Sequence, residues 1–188
     1  MAARLRRLRS RLGTRLQARR LLQRYDVIHG HFLVEKYAFL HQQARFITFM
    51  REPVSRLLSH YYYFKDVASK NPVTVSRNPA IMQVARGELG LVEFARSEAM
   101  QHLYARFTAG LPLQDFALVG ITERYEESVA TLNRLLGVAV EARHERRSGY
   151  EKYAEEYRRL LPDLEAANRE NMRIYTEAVR LFEQARTG

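Results

Sequence analysis

Between Arg45 and Tyr63 the hydrophobic pattern of this 188-residue chain changes period within a few residues, and that change restricts the fold. Phe46 to Met50 is a short, nearly continuous apolar run, suited to a strand buried on both faces of a parallel sheet. Pro53 stands where a helix begins, because the first turn has no use for the missing N–H. Val54, Leu57, Leu58 and Tyr61 then recur at helical spacing. The segment is predicted as strand, tight turn, helix. In open α/β sheets ligands bind at the carboxyl ends of strands, and helix N-termini attract anions. Arg51 at the strand end offers a bidentate fork for a phosphate. Ser59, inside the helix, offers a hydroxyl to the same group. As an isolated pair they read more simply as an ordinary surface arginine and a helix serine.

The length allows one domain with a real core. With no cysteine, disulfides, thiolate catalysis and cysteine-rich metal sites are excluded. No run approaches the ~18 apolar residues of a membrane span, and no signal-peptide core is present. This leads to an expected cytoplasmic location, or one peripheral to a membrane. Residues 1–24 carry nine arginines and no acid, which accounts for all but one of the +10 net charge. The body is nearly neutral, so the high pI does not indicate a nucleic-acid-binding domain, and no specific nucleic acid is expected.

Two regions are therefore drawn, an Arg-rich amphipathic helix over 1–24 and a domain over 25–188. Leu5, Leu8, Leu12 and Leu16 give the first its apolar stripe, weakened by Gly13. Three readings stand for it: a helix docking by its leucines, a basic segment touching anionic lipid or nucleic acid, or the remnant of a longer N-terminal region.

Tyr25 to Ile28 reads as a further short strand, followed by His29-Gly30-His31. Glycine permits a tight turn close to a ligand, and neutral histidine is the usual general base near pH 7. A zinc site is the rival reading, without third and fourth ligands at familiar spacing. Phe32 to Gln43 reads as short helix or irregular, and the Asn71-Pro72 and Asn78-Pro79 pairs mark a loop. Helices are expected over 79–86, 92–107, 150–160 and 163–185, with Pro162 separating the last two. Leu164, Ile174, Tyr175, Ala178 and Phe182 form the last one's apolar side. Phe116 to Gly120 reads as a strand, and Thr122 as the N-cap of a helix burying Tyr125, Val129, Leu132 and Leu136.

Arg51-Glu52-Pro53-Val54 with Arg56, Ser59 and Tyr61 closely resembles the 3′-phosphate-binding motif of sulfotransferases, which use 3′-phosphoadenosine 5′-phosphosulfate as donor. His29-Gly30-His31, about twenty residues upstream, resembles the uronyl 2-O-sulfotransferases and their bacterial relatives. The resemblance implies that Arg51 and Ser59 hold the donor's 3′-phosphate, that His31 is the catalytic base and that His29 assists it. It implies a sulfotransferase or P-loop-kinase-like α/β fold, a small parallel sheet with helices on both faces and strands near 26–29, 45–50 and 116–120. The implied reaction is sulfuryl transfer to a hydroxyl, with a carbohydrate as acceptor and without a metal. Arg146, Arg147 and Ser148 stand where the family closes a basic loop over the nucleotide.

The resemblance extends from about Asp26 onward, with three departures. His102 and Tyr104 replace two amides of a family segment that ends at Gly110, and Asn171 stands where an aspartate is common. No strand, Gly-rich loop and lysine for the 5′-phosphosulfate precede His29, so the domain is expected to be N-terminally incomplete. The alternative is a non-catalytic relative that binds adenosine 3′,5′-bisphosphate or a sulfated glycan.

Overall fold

The computed structural model describes Arg20 and residues 22–70, 79–143 and 149–187, with side chains through Asp66 in the first stretch. Arg20 and residues 22–24 are helical; the rest of the Arg-rich segment, Asn71-Pro72 and the Arg146, Arg147 and Ser148 loop lie outside the described residues.

The protein is mostly helical around a small parallel sheet, a general α/β arrangement. β1 (Ile47–Met50) pairs with β2 (Leu118–Ile121) in the register Ile47 to Leu118 through Met50 to Ile121. The four residues of β2 are all buried, as two-sided packing requires. Gly120 is needed in this pairing. A Cβ there would lie 2.7 Å from the ring of Phe49, its cross-strand partner. β1 runs into α1 (Pro53–Lys70). α2 (Pro79–Ala85), α3 (Leu91–Arg96), α4 (Glu98–Gln101) and α5 (Leu103–Phe107) follow. After β2 come α6 (Tyr125–Leu136), α7 (Ala154–Arg158), α8 (Leu161–Ala167) and α9 (Arg169–Thr187).

Two apolar cores result. One joins Met50, Leu118, Val119 and Ile121 of the sheet to Ile174, Ala178 and Phe182 of α9. The other joins Val54, Leu57, Leu58, Tyr61 and Tyr62 of α1 to Val84, Phe94 and Leu164. The expected helical stripes at Val54/Leu57/Leu58/Tyr61 and Ile174/Ala178/Phe182 are the buried faces of α1 and α9.

Several expectations are corrected. Tyr25 to His29 forms no strand and stands exposed, Val27 at 74 %. A β-prone run becomes a strand only when a neighbour supplies the hydrogen-bond ladder, and β1 is paired with β2 alone among the described residues. Phe32 to Gln43 agrees with the expected short helix or irregular segment, folding into two 3-10 turns, Val34–Lys36 and Ala38–Leu40. The helix expected over 92–107 is three short ones. Ser97 breaks it in extended backbone, where its hydroxyl donates to the Phe94 carbonyl at 2.7 Å and competes with the helical ladder. Thr122 lies inside a 3-10 turn, Thr122–Arg124, and caps nothing; the cap position of α6 is Arg124. α6 buries Ser128, Val129 and Thr131, while Leu136 is exposed and Gly137 ends the helix in the left-handed region at φ 67°. Residues 150–160 split into a 3-10 turn, Gly149–Tyr153, and α7. Pro162 lies in the first turn of α8, where proline fits, and the break falls at Asn168. The Asn168 amide donates to the Leu164 carbonyl at 2.9 Å.

Candidate functional site

Because β1 and β2 are parallel and Met50 is level with Ile121, the residues just beyond each strand emerge together. Arg51 and Glu52 leave β1, and Glu123 leaves β2. The Glu52 N–H donates to Glu123 Oε1 at 2.9 Å. Glu123 Oε2 accepts from the Tyr175 hydroxyl of α9, also at 2.9 Å. One carboxylate therefore ties both strand ends to α9. Burial, and then this hydrogen bond, push the Tyr175 phenol well above its ordinary range, so it stays a neutral donor.

The N-terminus of α1 is already satisfied. Glu52 accepts the Val54 N–H at 3.0 Å and the Ser55 N–H at 2.6 Å. The expectation that this terminus attracts a ligand anion is corrected: the chain's own carboxylate occupies it. A phosphate here must be held by side chains.

Arg51 is held from three sides. Its backbone N–H donates to the Tyr104 hydroxyl at 3.3 Å, and that hydroxyl donates back to the Arg51 carbonyl. Burial pushes the Tyr104 phenol up to about 12. The Arg51 guanidinium lies 5.6 Å from the ring centre of Tyr150, and its Nε is 3.9 Å from Glu123 Oε1.

Ser59 is half-buried on the face of α1 that also carries Ser55, Tyr62 and Asp66. That face meets the Gly149–Tyr153 turn. The Tyr62 and Tyr153 rings stack at 4.0 Å and 8°, and Asp66 accepts from Tyr153 at 2.5 Å and Lys152 at 2.8 Å. Arg51, through Tyr150, and the α1 face that carries Ser59, through Tyr62 and Asp66, both meet this turn.

His29 and His31 are exposed on the extended stretch before the first 3-10 turn, with no hydrogen bond or ion pair among the described residues. The structure does not bring them to Arg51. Arg143 faces Glu141 at 3.7 Å.

Sequence reasoning assigned four residues here no role at the site. Tyr104 and Glu123 are joined to the strand ends only by the fold. Arg56 and His60 share a face of α1 by their spacing of four, a signal legible in the sequence. The Arg56 guanidinium lies 5.8 Å from the Tyr104 ring centre and 5.6 Å from that of Phe107. Its Nε is buried without a hydrogen-bond partner among the described residues, as is His60 Nδ1. Burial first, then the charges of Arg56 and Arg51, lower the His60 imidazole to about 4, so it is neutral at ordinary pH.

Among the described residues no cluster of three or more His, Cys, Asp or Glu is arranged to hold a metal, and no helix is long and apolar enough to cross a membrane. No family model, curated protein or solved structure matches the chain.

Proposed function

We propose that the protein transfers a sulfuryl group from 3′-phosphoadenosine 5′-phosphosulfate to a hydroxyl, with a carbohydrate as acceptor. The observation that carries this reading is the placement of Arg51 and the Ser59 face of α1 against one turn, Gly149–Tyr153. Arg51 leaves the carboxyl end of β1, the edge where open α/β sheets take ligands. Its guanidinium and the Ser59 hydroxyl fit a 3′-phosphate held by side chains, as the Glu52 cap requires.

In this reading the acceptor hydroxyl loses its proton to His31, with His29 assisting. Its oxygen attacks sulfur in line, the bond from sulfur to the bridging phosphate oxygen breaks, and adenosine 3′,5′-bisphosphate leaves. Arg146, Arg147 and Ser148 belong to the nucleotide-facing loop. No metal takes part.

A second reading, a relative that binds the bisphosphate or a sulfated glycan without turnover, is favoured by one observation: His29 and His31 stand in solvent. Titration of wild type and Arg51→Ala with adenosine 3′,5′-bisphosphate and adenosine 5′-monophosphate tests the binding common to both readings. The substitution should weaken the bisphosphate by about tenfold to a hundredfold and spare the monophosphate. Equal losses for the two nucleotides would remove the assigned role. Transfer from labelled donor to a glycan panel then separates the readings.

A further inference from the structure

We propose that Glu123 regulates the Arg51 site as a resident counter-charge, weakening its hold on a 3′-phosphate so that the nucleotide is released readily. The inference rests on the anion-binding reading of Arg51. Of the two carboxylates at this strand end, one stands against that guanidinium. Glu52 turns its oxygens to the first N–H groups of α1, and Glu123 stands 3.9 Å from Arg51 Nε. That separation exceeds a hydrogen bond, so Glu123 acts on Arg51 through charge. A phosphate oxygen can approach more closely than Glu123 does and win the contact, while the carboxylate stays nearby and repels it.

Glu123 is unable to swing away freely. One oxygen is fixed by the Glu52 N–H and the other by the Tyr175 hydroxyl, each at 2.9 Å. Its side chain is 38 % exposed and that of Arg51 25 %, so an anion can reach both and solvent moderates the repulsion. The repulsion grows with ligand charge. It disfavours a dianionic phosphate monoester more than a monoanionic sulfate ester. Loose retention suits a site whose product carries the same 3′-phosphate as its substrate.

Glu123→Gln isolates the charge. The glutamine oxygen can still accept from one of the two donors, so the strand ends keep a tie. Calorimetric titration of the full chain with adenosine 3′,5′-bisphosphate should give about threefold to tenfold tighter binding for Glu123→Gln than for wild type. Adenosine 5′-monophosphate should change little. Glu123→Asp, which draws the charge back, should fall between and serves as a second probe if the glutamine variant folds poorly. Unchanged or weaker bisphosphate binding by Glu123→Gln, with Arg51→Ala still losing affinity, overturns the counter-charge and leaves the anion site standing. Equal bisphosphate affinity in wild type and Arg51→Ala overturns the site itself.

Discussion

The Tyr104 hydroxyl holds both backbone groups of Arg51, accepting from its N–H at 3.3 Å and donating to its carbonyl. A phenol from α5 thus fixes the residue at which β1 gives way to α1. Tyr104→Phe keeps the ring and leaves both Arg51 groups without this partner. An unsatisfied buried group costs about 1–3 kcal/mol, so the urea midpoint should fall. Bisphosphate affinity should fall too, because Arg51 loses its anchor. Denaturation and calorimetry measure the two effects, and unchanged nucleotide affinity would show that Arg51 is positioned by other contacts.

Ser59→Ala should weaken bisphosphate binding in the same direction as Arg51→Ala but by less, since the hydroxyl offers one donor and no charge where the guanidinium offers a charged, bidentate fork. A loss equal to that of Arg51→Ala would assign Ser59 a larger part than its chemistry supports. The measurement is the ratio of the two dissociation constants.

His31→Ala should lower any sulfuryl-transfer rate by about 10²–10⁴-fold and leave nucleotide affinity nearly unchanged. His29→Ala should lower it less. Full rate in His31→Ala at saturating donor would transfer the base to another group.

His60 makes stability depend on pH. Its imidazole falls from 6.5 to about 4 on folding, because of burial and then Arg56 and Arg51. Between those values the unfolded chain binds more protons than the folded one, so stability rises with pH. The contribution is complete above about 6.5 and is lost progressively as pH falls toward 4. Urea midpoints taken from pH 4.5 to 7.5 should follow that slope, and His60→Gln should flatten it. An equal slope in both proteins would show that the imidazole stays solvated.

Asn171 stands where the resemblance expects an aspartate, and its surroundings suit the amide. Its nitrogen donates to the Met100 carbonyl at 2.7 Å and to Asn168 Oδ1 at 3.0 Å, while its oxygen accepts from the Tyr104 N–H at 3.1 Å. An ionised aspartate has no donor and would face two acceptors. Asn171→Asp should destabilise by more than about 2 kcal/mol near neutral pH, and less in acid as the carboxyl gains a proton. Thermal unfolding at pH 4.5 and 7.5 measures the difference.

The strand, turn and helix over residues 45–63 were legible because their signals are local: an apolar run, a proline and a repeat of three and four. The same holds for β2, displaced by two residues, and for the buried stripe of α9. The face of α1 on which Ser59 lies followed from its position in the helical repeat. What that face touches, Tyr62 on Tyr153 and Asp66 on Lys152, belongs to contacts across the fold. Tyr25 to His29 carries a strand's residues and forms none, since a strand exists only in a pair. The Glu52 cap of α1 is local, reaching two and three residues on, whereas the tertiary structure decided that Glu123 borders Arg51 and that Tyr104 anchors it. The last two depend on partners 53 to 72 positions apart in the chain, a separation that no local period encodes.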